Sequence, residues 1–346
     1  MQFARKDDFG SIPRATGGIA RLACARLDEM GKDPAPVLAK AGVTTEEARN
    51  PAIRLEVRTQ IRLLELAAGE LQDDLLGFHL ARSFDLREIG LLYYVIASSE
   101  RLEDALRDVE RYSRIMNEGV RLRFSLQDRA ATIALDYVNV DRRTDRQQIE
   151  FWLVALVRMC RQVTDTRLAP SQLKMRHFRN GTPAEFRAFF GSDVEFGADG
   201  DAMSFPAQLA ALPVAGRDDY LNEMLRQYAE EALARRDRPV LRSKVEEILP
   251  GLLPHGRAVA SEVARRLGMS SRTLSRKLGE EGTSFAEILD QLRAALAKRY
   301  LDDETLPVSE IAWLLGYREV SSLTHAFKRW TGTTPRLFRS FEAGAA

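Results

Sequence analysis

The pattern of apolar and polar positions predicts that the last hundred residues are helical and internally duplicated. Residues 262–269 read EVARRLGM, and residues 310–317 read EIAWLLGY. In each copy apolar residues recur at helical spacing up to a glycine, and a second helical pattern follows. Two copies are too few for a solenoid, which needs three or more repeats. A helix, a turn and a second helix is instead the unit that places one helix in the major groove of DNA.

The same pattern gives each copy a buried face and an outward face. Gly268 and Gly316 stand where the first helix must stop and turn, a place suited to positive φ. Ser270 or Ser271 can cap the second helix of the first copy. The inward positions are Val259, Val263, Ala264, Leu267, Leu274 and Leu278 in the first copy, and Val308, Ile311, Ala312, Leu315, Leu323, Ala326 and Phe327 in the second.

The outward positions of the two second helices are candidates for contact with base edges. They are Arg272, Ser275 and Arg276 in the first copy, and Ser321, Ser322 and His325 in the second. Four basic residues near the end of the chain are candidates for contact with backbone phosphates. They are Lys328, Arg329, Arg336 and Arg339. A long helix over residues 284–301 connects the copies, and a separation near roughly 34 Å would place both recognition helices in successive major grooves.

The first two thirds of the chain alternate between helical and strand-like patterns, which predicts an α+β domain. Helices are expected over residues 20–30, 54–68, 102–117 and 149–163, and strands over 120–126, 131–138, 173–178 and 194–196. A further amphipathic helix covers residues 219–235. Its apolar stripe consists of Leu221, Met224, Leu225, Tyr228, Ala232 and Leu233. That stripe either packs onto its own domain or forms a homodimer interface.

These patterns predict an effector-binding and dimerisation domain over 1–236, a linker over 237–243 and an all-α DNA-binding domain over 244–346. The two helix-turn-helix units would span about 259–280 and 308–330.

The net charge of +1 by itself gives no indication of nucleic-acid binding. Residues 241–346 carry 16 Lys/Arg against 13 Asp/Glu, which permits a basic face. No apolar run approaches the roughly 18 residues of a membrane span, so we expect a cytoplasmic protein whose two cysteines are free thiols.

The sequence carries no recognisable chemistry of an enzyme. A phosphate-binding glycine loop, a His-Glu-x-x-His metal motif and a Gly-x-Ser-x-Gly nucleophile turn are all missing. We therefore assign no catalytic residue, no metal ligand and no cofactor. His79 is interpreted as a satisfied packing histidine among apolar neighbours. His177 is interpreted as a surface residue on a strand, with a ligand contact as the alternative.

The C-terminal motifs are similar to the signature of AraC/XylS-type transcription regulators. The matching residues are Ile311, Ala312, Gly316, Tyr317, Phe327, Lys328, Arg329, Gly332, Thr334, Pro335, Phe338 and Arg339. The N-terminal segments 91–93, 102–106 and 111–112 more weakly resemble the arabinose-binding-domain type of effector half. The resemblance implies two helix-turn-helix units per subunit, with base contacts from the six outward positions given above. Family members usually have Phe-Lys where Leu278 and Gly279 stand, and Arg is common at the position of His325.

We therefore expect a sequence-specific, effector-responsive regulator that acts as a dimer on double-stranded operator DNA. It would contact RNA polymerase or occlude it, and activation is the commoner outcome in the proteins it resembles. The effector is a small molecule of unknown identity, and the sequence assigns no effector-binding residues. Two alternatives stay open: a constitutive DNA-binding protein whose N-terminal domain only dimerises, and a metabolite-processing enzyme fused to a DNA reader.

Overall fold

The computed structural model describes residues 13–138, 140, 145–237, 241–254, 256–301 and 305–343. These residues form two compact units. The N-terminal unit comprises Pro13–Val37 and Thr45–Arg235, and the C-terminal unit combines Leu38–Thr44 with Arg236–Ala346. Within the C-terminal unit Lys298 Nζ donates a hydrogen bond of 2.9 Å to the Gly42 carbonyl oxygen. The predicted domain boundary at 236 remains a prediction, because part of the predicted linker, residues 238–240, lies outside the described residues.

The N-terminal unit is built on a five-stranded sheet. Its strands and those of a separate two-stranded sheet are β1 (Arg14–Thr16), β2 (Arg54–Glu56), β3 (Val120–Leu126), β4 (Ala130–Tyr137), β5 (Gln172–Met175), β6 (Glu195–Phe196) and β7 (Asp201–Pro206). The larger sheet has the order β3-β4-β7-β5-β6, in which only β5 and β6 run parallel. The strands β1 and β2 pair antiparallel. The predicted strands over 120–126 and 131–138 correspond to β3 and β4, which pair antiparallel as a hairpin.

The described residues before Leu241 include ten helices. They are α1 (Gly18–Glu29), α2 (Pro34–Ala41), α3 (Thr45–Arg49), α4 (Val57–Leu71), α5 (Leu76–Ser83), α6 (Leu91–Ala97), α7 (Leu102–Tyr112), α8 (Arg146–Thr164), α9 (Ala184–Phe190) and α10 (Asp219–Asp237). Short 3₁₀ turns occupy Leu86–Ile89, Ser113–Ile115 and Ala207–Ala211. The central helix α8 is buried along most of its length and lies against α4, α5 and α7. A Cβ on Gly77 would lie 1.9 Å from the Gln147 carbonyl oxygen, so only glycine permits this contact between α5 and α8.

Some predicted bounds were wrong, and one strand was missed. The helix predicted over 102–117 ends at Tyr112, and the strand predicted over 173–178 ends at Met175. The helix expected from residue 54 begins only at Val57, because Arg54–Glu56 pairs with β1 as a strand. The strand β7 was not predicted, although it lies inside the larger sheet. It begins with Asp and ends with Pro, two residues that are depleted in strands. Asp201 is nevertheless satisfied, because its carboxylate accepts a 2.8 Å hydrogen bond from the Arg176 backbone N–H.

Both histidines of the N-terminal unit have ionic partners that the sequence did not reveal. His79 bonds Asp73 through Nδ1 at 2.8 Å and Glu185 through Nε2 at 3.0 Å. Burial disfavours the protonated ring, but the hydrogen bonds to both carboxylates outweigh it, and the pKa of His79 is raised. The His177 side chain is only 9% exposed, and its Nε2 lies 2.9 Å from the carboxylate of fully buried Glu150. His79 is therefore a satisfied histidine whose partners are carboxylates, and the interpretation of His177 as a surface residue was wrong.

The C-terminal unit is all helical around one apolar core. Its helices beyond α10 are α11 (Leu241–Ile248), α12 (Ala260–Arg266), α13 (Ser271–Glu280), α14 (Phe285–Leu301), α15 (Val308–Leu314), α16 (Val320–Thr331) and α17 (Pro335–Ala343). The core joins residues of all seven helices, from Leu241 to Phe338. The fold class is confirmed: an α+β domain precedes an all-α domain in which the long helix α14 joins two helix-turn-helix units. Among the described residues, no helix combines the length and apolarity needed to cross a membrane.

Candidate nucleic-acid interface

The first helix-turn-helix unit consists of α12, a glycine turn and α13. Gly268 has φ +66° two residues beyond the end of α12, as its place in the sequence predicted. Ser270 caps α13, because its hydroxyl accepts a 3.1 Å hydrogen bond from the Thr273 backbone N–H. Leu274 and Leu278 are completely buried and hold α13 on the core. The opposite face of α13 therefore points to solvent.

The three candidate base contacts of the first unit lie on this solvent-facing side. Arg272, Ser275 and Arg276 are all exposed. Arg276 forms an ion pair with Glu280 one turn further along α13, and both side chains are about 60% exposed (62% and 59%). The structure describes no ion pair for Arg272 among the residues it covers. A guanidinium on this face is free to reach a guanine edge or a phosphate.

The basic residues of α12 are less available than those of α13. Arg265 and Arg266 both bind the carboxylate of Glu262, at 2.8 and 3.2 Å. Their hydrogen bonds lower the pKa of Glu262 to about 2, so this carboxylate stays charged at any physiological pH. The positive charge of α12 is therefore partly neutralised within the helix, whereas α13 presents Arg272 without such a partner.

The second unit repeats the scaffold with α15, a glycine turn and α16. Gly316 has φ +77°, and a Cβ there would lie 2.5 Å from the Leu253 carbonyl oxygen. Arg293 of α14 secures this turn, because its Nε donates to the Leu315 carbonyl at 3.0 Å and its guanidinium lies 4.7 Å from the Tyr317 ring centre. Leu323 and Phe327 are completely buried on the inner side of α16.

The outward residues of the second unit are exposed but chemically unlike those of the first. Ser321, Ser322 and His325 all face solvent on α16. The Ser321 hydroxyl donates a 3.1 Å hydrogen bond to the carboxylate of Glu319. This face therefore offers two hydroxyls and an imidazole, where α13 offers two guanidinium groups and one hydroxyl.

The four candidate phosphate contacts differ in how available they are. Lys328 and Arg336 are exposed. Arg329 is exposed but bridges to Asp290 of α14 at 2.7 Å. Arg339 is half-buried and donates a 2.7 Å hydrogen bond from Nη2 to the Leu306 carbonyl oxygen. Its guanidinium is thus committed to the protein backbone in this structure.

Comparison with known protein families identifies the family of this chain. A helix-turn-helix domain family matches residues 263–340. A second family, described as the arabinose-binding domain of AraC transcription regulators, matches residues 31–214, which is more than half of the chain. The chain belongs to the AraC family of transcription regulators. It is a DNA-binding transcription regulator, and the relatives it resembles are regulators rather than enzymes.

Two curated relatives extend over almost the whole chain. The HTH-type transcriptional regulator VirS of Mycobacterium tuberculosis is 28% identical over 338 residues, which cover 96% of this chain and 98% of VirS. The ornithine utilization regulator of Pseudomonas aeruginosa is 27% identical over 308 residues, with 86% and 88% covered.

Among solved structures, the transcriptional regulator CdpR of Pseudomonas aeruginosa matches at 22% identity and a TM-score of 0.46. The match covers 93% of this chain and 97% of CdpR. A DNA-binding transcriptional dual regulator of Escherichia coli K-12 matches 31% of this chain and 96% of its own, at 25% identity and a TM-score of 0.28.

Proposed function

We propose that this regulator binds its operator as a dimer and that each subunit reads two unlike DNA boxes. One observation carries the proposal. The two helix-turn-helix units share most of their buried positions and their glycine turn, although Val259, which was predicted to face inward, is 49% exposed. Their exposed recognition residues differ in chemistry. Because base edges are distinguished by the donors and acceptors that face them, unlike side chains read unlike sequences.

The first helix-turn-helix unit contributes more to DNA affinity than the second in this proposal. Arg272 and Arg276 each carry a fixed charge and a planar fork of donors, which suits guanine O6 and N7 or a phosphate. Ser275 lies between them on the same face. The second unit reads through Ser321, Ser322 and His325, whose hydroxyl and imidazole groups bring less charge to the DNA.

Phosphate contacts would orient both units on the duplex without reading sequence. Lys328 and Arg336 are exposed and suit this role best, and Arg329 joins them if it exchanges Asp290 for a phosphate. Arg339 is the least suited of the four predicted contacts, because its half-buried guanidinium would have to give up the hydrogen bond to the Leu306 carbonyl oxygen.

The helix α10 is the proposed dimer interface. Its residues Leu221, Met224 and Tyr228 are 42%, 39% and 57% exposed, and Tyr220 beside them is 76% exposed. The helix instead contacts its own domain through polar and small residues. Asn222 donates to the Val95 carbonyl at 2.8 Å, and Ala229 is completely buried. An apolar stripe left exposed on a helix marks a surface that a partner covers.

In the proposed mechanism a small molecule binds the N-terminal unit and favours one arrangement of the DNA-binding units in the dimer. The ligand can shift that equilibrium only through its differential affinity for the two arrangements. The favoured state spans adjacent operator half-sites in the cytoplasm and activates transcription by contacting RNA polymerase. The constitutive alternative predicts that no metabolite changes DNA affinity, and a mobility-shift assay across a metabolite panel separates the two.

The substitution Arg276→Ala tests base reading by the first unit. It should weaken binding to operator DNA by roughly 1–3 kcal/mol, the contribution of one bidentate base contact, and leave binding to unrelated DNA nearly unchanged. Mobility-shift titrations on both DNAs measure the difference. Arg107→Ala is the matched control, because Arg107 also forms an exposed i,i+4 ion pair, with Glu103, but lies in the N-terminal unit. Equal losses on both DNAs would assign Arg276 to a phosphate.

A further inference from the structure

A small apolar cavity lies inside the N-terminal unit, between the sheet and the helices α7 and α8. Its volume is about 30 Å³. Its apolar wall includes Leu122 of β3 and the thioethers of Met116 and Met159. Among the described residues that line it, none carries a charge, and Ser113, Asn117 and Trp152 bring the polar groups. A predominantly apolar lining with a few polar groups is the chemical character of small-molecule sites.

Two of these polar groups are buried hydrogen-bond donors without a partner. Asn117 is 1% exposed, and its Oδ1 accepts a 3.0 Å hydrogen bond from the Gly119 backbone N–H. That bond fixes the orientation of the amide, and it leaves Nδ2 as a donor with no acceptor among the described residues. The indole Nε1 of Trp152 is likewise shielded from solvent and has no acceptor there.

The third polar group, Ser113, is also weakly engaged. It is 7% exposed, and its hydroxyl reaches the Glu110 carbonyl only at 3.5 Å, the outer limit of a hydrogen bond. Most buried polar groups in proteins have partners, so two unpartnered donors lining one cavity call for an explanation. An acceptor oxygen supplied by a ligand would satisfy both.

We propose that this cavity is the effector site and that it takes a compact apolar molecule with one uncharged acceptor oxygen, such as a ketone, ester or lactone. The Asn117 Nδ2–H and the Trp152 Nε1–H donate to that oxygen, and the apolar wall receives the hydrocarbon body. A carboxylate fits poorly, because no cation lines the cavity to offset the cost of burying its charge. A sugar fits poorly as well, because its several hydroxyls would meet a largely apolar wall.

The cavity must widen to admit such a ligand, since ligand pockets commonly measure roughly 300–1,000 Å³. Met116 and Met159 line it, and unbranched thioether side chains repack easily around an incoming group. Helices α7 and α8 also border it, so widening would displace elements of the N-terminal unit. This proposal rests on the proposed effector response, which requires a ligand to favour one arrangement of the protein.

The test uses the full chain labelled with ¹⁵N at its tryptophan indoles, without DNA. Cyclohexanone is the probe, and methylenecyclohexane is its isostere without the acceptor oxygen. Cyclohexanone should shift the Trp152 indole N–H resonance downfield in a saturable titration, because that N–H gains an acceptor. Methylenecyclohexane should give no downfield shift, and neither cyclohexanecarboxylate nor arabinose should bind. The resonance is assigned by its loss in Trp152→Phe.

Trp152→Phe keeps the aromatic bulk and removes the donor, so it should weaken cyclohexanone binding by roughly five- to tenfold, the value of one hydrogen bond. Trp330→Phe is the matched control, because Trp330 also has an unpartnered buried indole nitrogen but lies in the C-terminal unit. It should leave cyclohexanone affinity unchanged. No response to cyclohexanone, or equal effects of the two variants, would overturn the proposed site.

A parallel operator titration keeps this result separate from the proposed function. Intact operator binding without any cyclohexanone response would overturn the cavity proposal alone. A cyclohexanone response at Trp152 with unchanged operator affinity would support the cavity as a ligand site and contradict effector control of DNA binding.

Discussion

Gly268 and Gly316 occupy equivalent turns but have different surroundings, which yields a matched pair of substitutions. Both have positive φ, so an alanine at either position costs about 1–2 kcal/mol in backbone energy. A Cβ on Gly268 meets nothing within 4 Å, whereas one on Gly316 lies 2.5 Å from the Leu253 carbonyl. Gly316→Ala should therefore cost about 2–4 kcal/mol, clearly more than Gly268→Ala. Urea denaturation followed by tryptophan fluorescence compares them, and equal losses would contradict the close packing at Gly316.

The raised pKa of His79 makes the stability of the N-terminal unit depend on pH. A histidine whose pKa is raised on folding contributes stability that is fully present below its unfolded value, near 6.5, and is lost as the pH rises through the folded value. Melting temperature should therefore fall as the pH rises above about 6.5. His79→Gln should flatten this dependence, and Glu185→Gln should reduce it in part. An unchanged pH profile in His79→Gln would show that the ion pairs with Asp73 and Glu185 do not act on stability.

For single residues, the sequence predicted the local backbone and capping roles better than it predicted the interaction partners of side chains. The positive φ of both glycines and the cap at Ser270 follow from neighbours in the chain, and the structure confirms them. The partners of His177 and Arg339 lie 27 and 33 residues away in the chain, so periodicity could not indicate them.

A single substitution in helix α10 tests the proposed dimer interface. Met224→Lys places a charge in the exposed apolar stripe and should dissociate the proposed dimer, while Gln127→Lys adds the same charge at an exposed polar position between β3 and β4. Sedimentation of both variants at matched concentrations measures the oligomeric state. Dissociation by Gln127→Lys as well, or by neither variant, would remove α10 as the interface.

The amphipathic pattern predicted helix α10 correctly, but it did not indicate which face of the helix packs against its own domain. Such a stripe normally faces a domain core. Here the inward contacts use Asn222, Ala229 and Arg226, whose guanidinium pairs with buried Asp108 at 2.9 Å. The polar partners of Asn222 and Arg226 come from α6, α7 and the Ser98–Ser99 turn, and no local pattern could reveal them.

At the scale of the whole molecule, the C-terminal fold was readable because its core is built from short-range helical repeats. The helices α12, α13, α15 and α16 agree with the duplicated apolar pattern. The N-terminal sheet joins strands far apart in sequence, and its strand β7 lies between β4 and β5. Long-range pairing of this kind could not be predicted from the sequence, and neither could the cavity, whose lining residues extend from Ile89 to Met159.

The recognition helices α13 and α16 of one subunit carry different exposed residues, so we expect the operator to contain two different sequences. The half-site of one subunit should hold two different boxes, with centres roughly 10 base pairs apart, so that α13 and α16 enter successive major grooves. A base-by-base substitution scan of the operator, measured with the wild type, Arg276→Ala and His325→Ala, tests this most directly. Arg276→Ala should relax base preference in one box only, and His325→Ala in the other. Relaxation of the same box by both variants, or two boxes of identical sequence, would contradict the account.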